Sequence, residues 1–358
     1  MQAVDEFAHD VALIDGTAAF GQEVPPVARV DILDTTPAMR AFATQATHGT
    51  HLGYWRVKRL LAVMMEDGFF TNSYRQDATY TASGTFDNQM GNCLAYTNLF
   101  IALARSLGIE AEYQMIDKQP TFDVDGEFIV RSNHINVVLP GIRLPGELHQ
   151  KMTVDFNVAR PDLFASARRI TDAQAEALFY INLGVTHLYE REDREAFAYL
   201  RRAIMIDPVS QDAWNNLAAL YSKRGQHAAA VKAYRNVLAL APNTQGALAG
   251  MARSLRVIGK NVEADAYAVR VRRYVERNPF YHFAEALKSI KSEAYTEALT
   301  AIERAIDLER KNPRFYQTRA IAAAGLGDQQ LARLSLKKAD LYQARLKRLE
   351  SDLIHHYN

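Results

Sequence analysis

The one cysteine of the chain, Cys93, follows Gly91-Asn92 at the mouth of a run that carries Tyr96, Leu99, Phe100, Leu103 and Leu107 on one helical stripe. Asn92 suits the N-cap of that helix, which puts the thiol in its first turn. There the unpaired N–H groups and the helix dipole favour an anion, so the thiol is expected to shift toward the reactive thiolate. A nucleophilic cysteine also needs a base, and the base an orienting group. His134 opens an alternating stretch in which His134, Asn136 and Val138 share one face. Farther on, Thr153, Asp155 and Asn157 share a polar face, opposite Met152, Val154, Phe156 and Val158. If the two strands are neighbours, Asp155 can hold the His134 imidazole toward Cys93, an arrangement suited to acyl transfer. His149 is a rival base, but it falls in the Pro145-Gly146 loop region and ranks below His134.

These residues need a frame. Pro37 to Ala46 and Leu52 to Asp67 read as helices, the second stopped by Gly68, and Asn92 to Leu107 as a third, with Gly108 behind it. Strand-like runs follow at Ala111–Ile116, Phe128–Val130, His134–Leu139 and Met152–Val158, separated by Asp125-Gly126, Pro140-Gly141 and Pro145-Gly146. Helices first and an antiparallel sheet afterwards predict an α+β domain over residues 1–170.

Beyond it the texture changes to a repeat. Ala196, Ala230, Ala264, Ala298 and Ala332 lie 34 apart, as do Gly184, Ala218, Ala252, Ala286 and Ala320. A third register runs Ala203, Val237, Val271, Ala305 and Ala339. Small residues at fixed points let paired antiparallel helices approach closely, while Leu183, Leu200, Leu217, Tyr234, Ile302 and Leu336 fill the space between. Gly225, Gly259 and Gly327 fall at the turns, and Pro208 and Pro242 end their copies. The pattern resembles the tetratricopeptide repeat family, most completely at Trp214-x-x-Leu217-Ala218-x-x-Tyr221, over about residues 176–342. An all-α solenoid of about five repeats is therefore expected over 171–358, with Leu341 to His356 as a capping helix.

In such repeats the first helix of each copy lines a groove. Asn215, Arg253, Arg256 and Phe283 are the peptide-binding candidates, while Leu178, Ile181, Val185 and Leu188 of the first copy are expected to pack against the preceding domain. The Lys/Asn clamp by which some of these repeats grip C-terminal carboxylates is not present.

The run Thr81-Ala82 … Gly91-Asn92-Cys93 … Leu99-Phe100-x-x-Leu103-Ala104-Arg105-x-Leu107-Gly108-Ile109-x-Ala111 resembles transglutaminase-like, papain-like cysteine enzymes. Phe70-x-x-x-Tyr74 resembles that family's aromatic approach to the segment, and the match covers roughly residues 55–160. The resemblance implies a Cys that opens a helix, a His that opens a strand and an Asp on the next strand, which is the order of Cys93, His134 and Asp155. Ile135-Asn136 stands where the family often has an aromatic residue, and neither Trp55 nor Trp214 lies near the motif. Gln89, four residues before Cys93, is the oxyanion candidate, together with the Cys93 N–H.

The functional expectation is a cysteine-dependent peptidase or amidase acting on a protein or peptide, with repeats that bind substrate or partner. The alternative is a non-catalytic protein-binding scaffold whose transglutaminase-like domain is structural. No cofactor and no metal is expected: one Cys cannot build a cysteine zinc cluster, and His48 and His51 have no further ligand at suitable spacing. A net charge of +1 argues against a protein built to neutralise a phosphate backbone. That sum conceals a split. Residues 1–170 carry 14 Lys+Arg and 20 Asp+Glu (14 − 20 = −6), and the rest carry 28 and 21 (28 − 21 = +7). An acidic partner is thus expected to meet the repeats. No apolar run reaches the ~18 residues of a membrane span, and no oligomeric state is assigned. The N-terminus reads as leaderless. Bacterial proteins that pair these two domain types point to the envelope, with a leader removed, and otherwise to the cytoplasm.

Overall fold

A computed structural model describes residues 11–69, 74–117, 134–143, 149–156 and 166–355. The expected strand at Phe128–Val130, the flanking Phe70, and Asn157 with Val158 lie outside these residues. The chain forms two compact units, one of residues up to 118 with 133–261 and one that includes 262–358.

In the first unit, short turns α1 (Val11–Ile14) and α2 (Thr17–Phe20) precede α3 (Pro37–Ala46), α4 (Gly53–Glu66), α5 (Ala82–Asn88) and α6 (Cys93–Ser106). Then come β1 (Glu112–Asp117), β2 (His134–Arg143), β3 (His149–Val154) and β4 (Ser166–Ile170), a four-stranded sheet in the order β3-β2-β1-β4 whose pairings are all antiparallel. The region is α+β, as the element pattern predicts.

Helix α6 is the centre of this part. Its sequence stripe suggests one buried face, yet every residue from Leu94 to Ala104 is buried. A helix apolar nearly all round belongs inside a core, and α6 packs against β1, β2, α3 and α5. Asn98 is paired on both sides: its Nδ2 donates to the Tyr80 carbonyl at 3.3 Å and its Oδ1 accepts from the Tyr113 hydroxyl at 2.7 Å.

Two strand boundaries differ from the sequence reading. Strand β2 runs through Pro140-Gly141 to Arg143, and the register shift between Leu139 and Ile142 absorbs the proline that a regular ladder would reject. His149 is the first residue of β3, opposite Arg143, and not in a loop. Strand β4 was not anticipated at all: Ser166-Ala167-Arg168-Arg169-Ile170 has one large apolar residue and forms a short edge against β1.

The repeat helices of this unit are α7 (Asp172–Tyr189), α8 (Asp193–Ile206), α9 (Gln211–Lys223), α10 (His227–Leu240) and α11 (Gln245–Val257). Thr171 and Gln174 form a reciprocal capping box at the start of α7. Arg105, near the end of α6, grips Asp172 with two hydrogen bonds of 2.6 and 3.0 Å. The second unit continues with α12 (Asn261–Glu276), α13 (Pro279–Lys291), α14 (Tyr295–Leu308), α15 (Pro313–Gly325) and α16 (Gln329–His355). These helices are consistent with the all-α solenoid. The stretch expected as a capping helix, Leu341 to His356, is helical to His355 as the last part of α16.

Positive φ angles recur with the repeat at Arg191, Gly225, Gly259, Glu293 and Gly327, each 34 residues from the next. Glycine occupies three of these turns, while Arg191 (φ 64°) and Glu293 (φ 59°) hold the left-handed conformation at a cost of about 1 kcal/mol each. Since the Glu293 side chain is exposed, Glu293→Gly should raise the midpoint of thermal unfolding by a few degrees, as measured by circular dichroism. A fall would mean that the side chain makes a stabilising contact.

Candidate functional site

Asn92 sets the mouth of α6. Its Oδ1 accepts from the Ala95 N–H at 3.0 Å, its Nδ2 donates to Thr79 Oγ1 at 2.7 Å, and its own N–H donates to the Ala78 carbonyl at 2.8 Å. Cys93 is thereby held at the first helical position, half-buried. Gly91 is required just before it, because a Cβ there would come within 2.7 Å of the Ala95 Cβ.

The sheet delivers the partners. Opposite residues on β2 and β3 include Val137 and Val154, so the residue after Val154 comes level with Asn136 and one diagonal step from His134. Asp155 occupies that place. His134 Nε2 lies 2.6 and 2.7 Å from its two carboxylate oxygens, and Asn136 Nδ2 donates to Oδ2 at 3.2 Å. The neighbouring Phe156 packs against Tyr96 and Phe100 of α6, at centroid separations of 6.3 and 5.7 Å, which anchors the aspartate to the cysteine helix.

With Nε2 committed to Asp155, Nδ1 of His134 is left for the thiol, and the ring is hydrogen-bonded to Cys93. Burial works against the imidazolium. The hydrogen bonds to Asp155 and Cys93, with their charges, outweigh it and raise His134 from 6.5 to about 9. At neutral pH the ring is therefore a cation beside Sγ. The structure brings Cys93, His134 and Asp155 together.

Gln89 is placed differently from its expected part. It caps α5 in the left-handed conformation (φ 50°), is exposed, and its Nε2 donates to the Asp67 carbonyl at 3.2 Å. Its carbonyl accepts from the Tyr96 hydroxyl at 3.2 Å, so this residue braces the loop before Cys93.

A residue that the sequence offered only as an aromatic flank comes closer. Tyr74 bridges to Gly91, and the N–H of Arg75 donates to the Gly91 carbonyl at 3.1 Å. This lays the Tyr74 hydroxyl against Cys93, close to its thiol and its N–H. Burial first, then the charge on Cys93, pushes the hydroxyl up to about 12. It stays a protonated donor at any physiological pH.

Among the repeat candidates, Arg253 and Arg256 are exposed on α11 and Asn215 is half-buried on α9. Phe283 is not available to a ligand. It is 8% exposed, in a core with Ala286, Ile302 and Phe315, and Arg314 covers its ring with the guanidinium 5.1 Å from the centroid. Among the described residues His187, Glu190 and Glu192 place ligating atoms within 4.8 Å of one another at an open turn, and no ion is assigned there. No described helix is long and apolar enough to cross a membrane.

Residues 40–135 match the family model of the transglutaminase-like superfamily, and residues 177–210 and 212–244 each match a tetratricopeptide repeat. The chain thus carries a transglutaminase-like domain followed by tetratricopeptide repeats. Among curated proteins, none matches. Solved structures with some likeness include MamA from Desulfovibrio magneticus RS-1, residues 41 to the end. It is 18% identical over 47% of this chain and 96% of that one, with a TM-score of 0.28. YrrB, described as a TPR protein with an unusual peptide-binding site, is 17% identical over 47% of this chain and 87% of its own, with a TM-score of 0.28.

Proposed function

We propose that the chain is a cysteine-dependent acyl-transfer enzyme, a peptidase or amidase, whose repeats hold a protein or peptide partner. The observation that carries this reading is the His134 ring, bound through Nε2 to both oxygens of Asp155 and hydrogen-bonded to a half-buried cysteine at a helix mouth.

In this mechanism Sγ of Cys93 attacks the carbonyl carbon of an amide, and the carbonyl π-electrons move to oxygen. The substrate oxygen takes the place now held by the Tyr74 hydroxyl and receives hydrogen bonds from the Cys93 N–H and from Tyr74. The tetrahedral species collapses with C–N cleavage, and the leaving nitrogen takes the proton from His134. A thioester remains. Water then attacks it while His134 accepts the water's proton, and the sulfur leaves with its electron pair. Asp155 stays ionised and keeps the ring in one orientation and tautomer.

A proteome-derived peptide library incubated with the wild type and with Cys93→Ala tests the reading. New termini should appear with the wild type and be missing with the variant. Identical peptide retention by both proteins, without cleavage, would leave the scaffold reading in its place.

A further inference from the structure

Residues 13–30 run as a strap along the first two repeats, and the repeats receive it as they would a peptide. Five side chains, from α7, α8, α9 and the C-cap of α9, donate to its main-chain carbonyls. Tyr221 reaches Leu13 at 2.6 Å, Arg224 reaches Ala19 at 3.0 Å, and Arg194 reaches Glu23 at 3.2 Å. Arg201 reaches Val24 at 2.6 Å and Tyr180 reaches Ala28 at 3.3 Å. The Tyr180 hydroxyl also accepts from the Val30 N–H, and Arg29 pairs with Glu176 through two hydrogen bonds of 2.9 and 2.7 Å. Hydrogen bonds to main-chain carbonyls hold a segment whatever its side chains, and pockets then supply selectivity.

Two side chains fill such pockets. The Phe20 ring meets Phe197 edge-on at 5.6 Å, with the Arg224 guanidinium 4.3 Å and the Arg194 guanidinium 5.9 Å from its centroid. Val24, four residues on, is 2% exposed. The charges match as well: burial lowers the pKa of Arg201, and Glu23 and Asp15 of the strap oppose that shift. Arg201 Nη2 remains buried without a hydrogen-bond partner, a donor to spare for a ligand carboxylate. Pro25-Pro26 keeps the segment extended before it binds, which reduces the ordering cost.

We propose that this face of α7, α8 and α9 is a peptide-binding surface and that residues 13–30 are its built-in ligand. A partner that fits is an acidic segment that turns up to an aromatic residue and then extends to a branched aliphatic one four positions later. The strap, tethered at an effective concentration of about millimolar, excludes such a partner until it is displaced. This surface is separate from Cys93 and does not depend on turnover there.

The strap can be loosened without touching its receptor. Gly16 has φ 92°, and a Cβ on it would lie 2.6 Å from Val24 Cγ2, so Gly16→Ala disfavours the bound shape. Phe20→Ala removes the anchor instead. A fluorescein-labelled synthetic peptide of residues 13–30 is titrated against full-length wild type, Gly16→Ala and Phe20→Ala, with fluorescence anisotropy as the readout. The loosened chains should bind it at least ten times more tightly than the wild type. Adding Arg201→Gln to either, or placing Phe20→Ala in the peptide, should abolish the gain. Variants with wild-type circular dichroism that bind no better than the wild type would overturn the proposal. So would equal binding of the Phe20→Ala peptide. If neither variant folds, the segment is core rather than ligand, which also overturns it.

Discussion

Asp155→Asn is expected to lower turnover of a cleaved peptide by about 10⁴-fold, the loss seen when a triad's carboxylate is replaced by an amide that favours the wrong tautomer. Asp155 takes both of its oxygens to His134 Nε2, so the substitution removes the main influence that opposes burial of the imidazolium. The pH dependence should report this directly. In the wild type the imidazolium is lost as pH rises through about 9, which sets the alkaline limb of kcat/KM. In Asp155→Asn that limb should move down toward 6.5. Stability follows the same sign. A histidine whose pKa is raised on folding stabilises the protein fully below its unfolded value of 6.5, and that contribution fades as pH rises through 9. From 6.5 to about 9 corresponds to about 3 kcal/mol. Urea unfolding of wild type and variant should therefore differ at pH 6 and converge near pH 10. A gap that is the same at both pH values would detach His134 from Asp155.

Tyr74→Phe should lower kcat by about 10²-fold or more with KM nearly unchanged, as expected when a donor to the developing oxyanion is removed and the ring is kept. The hydroxyl lies beside the Cys93 N–H, close to the place a substrate oxygen must take, so in this mechanism it turns and donates when substrate arrives. The opposite result is as informative. Faster turnover in Tyr74→Phe would make the tyrosine a plug over the thiol and would remove it from the catalytic machinery.

What could be read in advance followed the range of the interactions. Cys93, His134 and Asp155 were visible because each is marked by local pattern: an N-cap before the thiol, and period-2 alternation around the other two. The repeats were visible because a 34-residue period survives substitution at any one copy. Tyr74 was not singled out, since its role depends on one bridge to Gly91 that no periodicity announces. Strand β4 was hidden by Arg168 and Arg169, which an edge strand tolerates and a central strand does not. Phe283 was misjudged because a repeating helix gives a groove position and a core position similar spacing, and only the neighbouring Phe315 and Arg314 decide between them.

Because residues 13–34 reach forward to the repeats and then return to α5, where the Ile32 carbonyl accepts from Ala82 and the Asp34 carboxylate accepts from Ser83, no single cut between them and residue 171 divides the chain cleanly. A fragment of the repeats alone bares Phe197 and strands the guanidinium of Arg201. The amino-terminal fragment keeps Phe20 and Val24 on a loose tail. The two halves are sticky in complementary ways, so their natural assay is reassembly from separate polypeptides.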